Sequence, residues 1–166
     1  MEYYIDGHNL IPKVNGIRLS DENDENELLE RIQEFARLSR KKCTVFFDKA
    51  PEQKTREEHF GTLQVIYVTH HIKADEEIIN RVIKIGKNRA KDIIVVSSDH
   101  HVQWQSKQAG AATMTSESFA ADMNKTFSRG DHFIKSPKKP LRIEPKLSSK
   151  EVDEWLEIFS QKDQSQ

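Results

Sequence analysis

Residues 2–10 read "EYYIDGHNL". Tyr3, Tyr4 and Ile5 favour a strand, and Asp6-Gly7 and Asn9 are ordinary turn formers. The stretch predicts a buried strand over 2–6 that ends abruptly. It poses one question: whether Asp6 only punctuates the chain or begins a site. Further along, "CTVFFD" (43–48), "LQVIYVT" (63–69), "DIIVVSSD" (92–99) and "AATMT" (111–115) predict four more strands. Helical spacing of Leu28, Leu29, Ile32, Phe35 and Ala36 predicts a helix over 26–38, with Asn23 or Asp24 as its cap. A second helix carries Ile78, Ile79, Val82 and Ile83 on one face. "HHVQWQSKQAG" reads as a short helix stopped by Gly110, and "SESFAADMNKTF" as another capped by Ser116. "PEQKTREEHFG" (51–61) is polar and reads as a loop.

Strands alternating with helices imply a three-layer α/β/α fold around a parallel sheet. The near-continuous apolar runs agree, because a strand covered on both faces need not alternate. At 166 residues, with 36% hydrophobic and 32% charged residues, the chain is sized for one domain. The expected division is a domain over 1–127, then a basic linker and a C-terminal helix packed on it over 128–166. In that helix Ser148 and Glu151 form a capping-box pattern, and Val152, Trp155, Leu156 and Phe159 share a face. No apolar run is long enough to span a bilayer, and no secretory leader is visible. The lone cysteine, Cys43, reads as a buried reduced thiol, which suits a cytoplasmic location. Net charge is −1, so any anionic partner must be held by local patches such as "RLSRKK" and "KSPKKPLRIEPK". Taken singly, such runs are solvated surface.

Three predicted strands end in aspartate: Asp6, Asp48 and Asp99. Asp75 opens the helix after the third strand. In a parallel sheet these four share the carboxyl edge, where open α/β sheets bind ligands. Each alone is an unremarkable turn former or cap. Together, crowded carboxylates call for a cation, and hard Mg2+ or Mn2+ takes oxygen ligands from one or two carboxylates, water and substrate phosphate. Phosphodiester hydrolysis is the natural chemistry. A phosphate-binding glycine loop, a dinucleotide fingerprint and a serine-hydrolase elbow are all absent, so no organic cofactor is expected. His70-His71 and His100-His101 lack the spacing of a helical zinc pair and read as exposed residues beside that edge. An Asp-x-Asp phosphatase motif and a receiver-type acidic pair are also missing after the first strand.

"YYIDGHNLI", "VFFD", "ADEEI" and "VVSSD", in this order, resemble the NYN domain family of PIN-like ribonucleases, most closely its bacterial YacP-like branch. The resemblance covers about residues 2–125. It implies a five-stranded parallel sheet of order 3-2-1-4-5 and a metal-dependent endoribonuclease acting on RNA. For this branch it implies mRNA cleavage, with the ribosome as one setting. Asp6, Asp48, Asp75 and Asp99 fall on the family's acidic positions and Asn9 on its motif asparagine. Asp6 and Asp99 are thereby expected as the main metal ligands, with Asp48 and Asp75 binding directly or through water. His8 stands where the family has an aromatic. His101 stands where PIN-like sites often carry a further acid, which favours one firmly held metal. His8, Lys49, Lys54, Arg56, His71, Lys73, His100 and His101 are the expected RNA contacts. The rival expectation is a non-catalytic adaptor that binds RNA or the ribosome.

Overall fold

A computed structural model describes residues 1–19, 22–48 and 55–130. The predicted C-terminal helix, Lys49 and Lys54 lie outside the described residues. Strand β1 (Glu2–Asp6) leads into one helical turn, α1 (Gly7–Leu10), and a 3-10 turn at Ile11–Lys13. Helix α2 (Asp24–Ser39) follows, then β2 (Lys42–Phe47), β3 (Arg56–Phe60) and β4 (Leu63–Tyr67). Helix α3 (Ala74–Ile85) and the short α4 (Lys87–Ala90) lead to β5 (Ile93–Val96), α5 (His100–Gln108), β6 (Ala112–Met114) and α6 (Ser116–Gly130).

The sheet order is β3-β4-β2-β1-β5-β6. The five predicted strands are all parallel and stand in the expected 3-2-1-4-5 order, with β1 at the centre. The sixth strand corrects the loop expected over 51–61. Residues 56–60 pair antiparallel with β4, Arg56 opposite Tyr67 and Phe60 opposite Leu63. β3 alternates half-buried and exposed residues, as befits an edge strand, and its charged residues hide the strand signal.

The central strands divide their side chains between two cores. Ile5, Val45, Phe47, Val65 and Val96 face α2 and α6. Tyr4, Phe46, Ile66, Ile93 and Val95 face α3 and α5. This is the period-2 geometry of a strand, with both faces covered. Burial makes Cys43 a thiol with its pKa pushed up to about 12.

Local details depart from expectation. Asn23 takes the N-cap position of α2 without a side-chain cap bond. Ser116 begins α6, but Thr115 Oγ1 accepts from Ser118 N, while the Ser116 hydroxyl donates to Asn9 Oδ1. Ile83 is exposed at the solvent side of α3. Gly7 is needed for space: a Cβ there would lie 2.3 Å from the Phe47 ring. Arg40 ends α2 in the left-handed region at φ 56°, where glycine or asparagine is usual. Among the described residues no helix is long and apolar enough to cross a membrane.

Candidate active site

The carboxyl edge of the sheet carries an open cleft of about 260 Å³, lined by Asp6, His8, Asn9, Asp48, Lys73, Ala74 and Asp75. Asp6 lies at its floor, at the end of the central strand and only 9% exposed. Its partners are sparse. Oδ1 accepts from Asn9 N at 3.3 Å, and Oδ2 from the Ser97 hydroxyl at 3.5 Å. Burial pushes its pKa up to about 6; the Asn9 amide opposes this, and the charges of Asp48 and Asp75 add to it. A buried carboxylate so poorly compensated is stabilised by taking up a proton or a cation.

Asp48 follows β2 and reaches across to α3. Its Oδ1 accepts from Ala74 N at 2.6 Å, capping a helix whose own N-cap residue, Lys73, supplies no cap bond. Asp75 stands one residue on, its Oδ1 accepting from Glu76 N at 2.8 Å. The Asp48 cap therefore brings the two acids to one wall.

His8 packs partly as an aromatic would, its ring edge-on to Phe47 at 5.3 Å between centroids. Its nitrogens make polar contacts too, Nε2 lying 3.3 Å from Glu25 Oε1 and Nδ1 3.8 Å from Asp48 Oδ2. Hydrogen bonding to Glu25 raises its pKa, burial opposes, and Glu25, Asp48 and Asp6 add electrostatically.

Asn9 is fixed from the other side. Its Oδ1 accepts from Ser98 N at 2.9 Å and from the Ser116 hydroxyl at 2.7 Å. Ser98 Oγ accepts from Ser116 N and donates to Glu117, which also pairs with Lys13 at 2.8 Å. The Lys13 and Ser98 hydrogen bonds hold the Glu117 pKa down at about 2. The "SSD" after β5 was visible in the sequence. Its joining to Asn9, Ser116 and Glu117 was not, because the residues are up to 107 positions apart.

Asp99 does not line the cleft. It is exposed and caps α5, Oδ1 accepting from His101 N at 2.7 Å and Val102 N at 3.2 Å. Ser97 links it to Asp6, since the same hydroxyl that donates to Asp6 accepts from Asp99 N at 3.2 Å. Lys73 is on the cleft wall. Arg56 stands beside the carboxyl end of β4, paired with Glu58 at 2.8 Å and lying 4.7 Å over the Tyr67 ring. His71, His100 and His101 are exposed and off the cleft wall.

Among the described residues no group of three or more His, Cys, Asp or Glu side chains forms a ready-made metal cage. The donor chemistry nevertheless fits a hard cation. Asp6 is short of partners, Asp48 and Asp75 act on it across one open cleft, and Mg2+ keeps several of its waters when bound by one or two carboxylates.

The fold is similar to that of Rae1 (YacP) from Bacillus subtilis. Its crystal structure matches with a TM-score of 0.66 at 20% identity, over 99% of this chain and 95% of that one. A tryptophan-to-leucine mutant of the same protein matches with a TM-score of 0.63 at 20% identity, over 79% of each chain. No curated protein matches by sequence. The model of the YacP-like NYN domain matches residues 3–160. With nearly its whole length matched, the chain belongs to the YacP-like NYN domain family and carries a PIN-like, nuclease-type domain.

Proposed function

We propose that the protein is a divalent-metal-dependent endoribonuclease whose reaction centre is the Asp6 cleft. The observation that carries this is Asp6 itself. A buried carboxylate with a pKa raised to about 6 ends the central strand of a nuclease-type fold, with Asp48 and Asp75 on the same cleft. Asp6, Asp48 and Asp75 would hold Mg2+ or Mn2+. Asp99 would join through its second oxygen, Oδ1 being committed to α5. The bound ion would polarise a phosphate oxygen and make a coordinated water a stronger nucleophile.

The chain's own groups position the reaction. The Ala74 amide fixes Asp48, and His8 bears on its other oxygen. Asp48 and Asp75 orient the attacking water. Asn9, held by Ser98 and Ser116, sets the turn that brings Asp6 Oδ1 under the Asn9 amide. Lys73 offers its ammonium group to a substrate phosphate at the rim. Water attack on phosphorus would form one P–O bond as another breaks, and the proton that the water gives up would pass to the departing ribose oxygen, so no covalent intermediate is required. The substrate is RNA, with mRNA the expected class, the ribosome a further partner and the cytoplasm the site of action. The basic linker expected from residue 128 is proposed to begin after Gly130, where α6 ends, and to lead to a docked C-terminal helix.

One observation favours a second reading, a non-catalytic RNA- or ribosome-binding adaptor: Asp99 is off the cleft wall. Incubating defined mRNAs with Mn2+, with and without translating ribosomes, separates the two. The nuclease reading expects wild-type cleavage that is lost in Asp6→Asn and strongly reduced in Asp99→Asn. RNA or ribosome binding with no cleavage under any condition would replace it with the adaptor.

A further inference from the structure

The candidate active site is acidic, although its proposed substrate is a polyanion. Asp6, Asp48 and Asp75 share the cleft with Lys73 and His8, and the cations nearby are taken: Lys13 by Glu117 and Arg56 by Glu58. Arg81, on α3, is taken by Glu57 and Glu77. A cluster of cations without ion pairs among the described residues lies at the opposite end of the sheet. There the α2–β2 turn and the α4–β5 turn meet beside the start of β1, where Glu2 is in register with Lys42 and Ile93. They border a second cleft, of about 370 Å³, lined by Arg40, Lys42 and Arg89 with Glu2 and Asp92. Glu2 is partly engaged, its Oε1 accepting from the Thr44 hydroxyl at 2.9 Å. Arg40, Lys42 and Arg89 make no hydrogen bond or ion pair through their side chains among the described residues, and all three are exposed. Lys41 and Lys91 belong to the same two turns.

Arg40 strengthens the case. It is the only non-glycine residue with positive φ among those described, in a position where glycine or asparagine would sit more easily. The fold thus accepts an awkward backbone and presents a guanidinium at this cleft. Arginine suits phosphate through its planar, bidentate donors.

We infer that the Arg40–Lys42–Arg89 pole is a docking surface for an RNA phosphate backbone, separate from the cleft that would cut it. This rests on the reading of RNA as the partner. The surface recognises charge and not bases, since it offers cations without an aromatic platform among its lining residues. It supplies the affinity that an acidic cleft lacks, and its contribution falls with salt.

The test uses the full chain in EDTA with a fluorescein-labelled single-stranded RNA, read by anisotropy over a series of salt concentrations. The combined variant Arg40→Gln, Lys42→Gln, Arg89→Gln is expected to bind more weakly and to reduce the slope of log K against log salt by about 2, near 0.7 for each phosphate no longer neutralised. Arg89→Gln alone should reduce it by about 0.7, which protects the test if the combined variant folds poorly. Unchanged slope and affinity in the folded combined variant overturn the inference. So does loss of binding to a polyglutamate peptide with RNA binding intact, which would assign the surface to an acidic protein. Mn2+-dependent cleavage by wild type with no change in the combined variant's RNA affinity defeats this surface and leaves the nuclease reading standing. Altered slope without any cleavage does the reverse.

Discussion

Replacing Asp6 by asparagine should stabilise the metal-free protein at neutral pH. In the folded chain the Asp6 pKa rises from 3.8 to about 6, chiefly through burial. Folding therefore favours the protonated form. Below pH 3.8 both states are protonated and the group costs nothing. As pH rises through 3.8 toward 6 the unfolded chain ionises first, and stability falls until the folded carboxyl ionises as well. Above about pH 6 the loss is complete. At about 1.36 kcal/mol per pH unit it amounts to about 3 kcal/mol. Asparagine preserves the size of the side chain and an oxygen to accept from the Asn9 amide, without the charge. Urea denaturation in EDTA should show Asp6→Asn more stable than wild type by about 1–3 kcal/mol at about pH 7.5, with the gain gone at about pH 4. Mg2+ should then narrow the gap by stabilising wild type alone. A variant less stable than wild type at the higher pH, or a gain of equal size at the lower, would show that the buried charge of Asp6 does not destabilise the fold.

Asp48→Ala removes the bond to Ala74 N at 2.6 Å and should destabilise the fold by about 1 kcal/mol, with Asp48→Asn costing less; chemical denaturation measures both. Gly7→Ala drives a methyl group against Phe47 and should cost about 1–3 kcal/mol, an effect that Phe47→Leu relieves in a double-mutant cycle. Arg40→Gly relieves the left-handed arginine and should stabilise by about 0.5–1 kcal/mol in thermal melts, after allowing for the glycine's greater unfolded freedom, while weakening RNA binding.

The parallel sheet was legible because each central strand is an apolar run ended by a turn residue, and helical periodicity separates the runs. β3 was not, since "REEHF" owes its strand geometry to pairing with β4 rather than to its own side chains. The acidic edge was legible for the same reason as the sheet: strand ends in a parallel array fall together. Sequence position could say that Asp48 and Asp75 lie near Asp6, but not that Asp48 serves as the cap of α3 and so sets their wall. Nor could it show that Asp99 turns to cap α5, because an aspartate after a strand and before a helix suits both roles. His8 needed three dimensions as well. Its ring packs edge-on to Phe47, and its contacts to Glu25 and Asp48 depend on α2 and the end of β2 coming together around it.

In the proposed function Asp6 anchors a metal-dependent centre that cuts RNA internally. Circular RNA has no ends, so linearisation reports internal cleavage alone. Wild-type protein with Mn2+ should linearise it, EDTA should stop the reaction, and folded Asp6→Asn should be inactive in both. Cleavage by Asp6→Asn at the wild-type rate, or wild-type cleavage that persists in EDTA, would show that Asp6 does not anchor a metal-dependent centre.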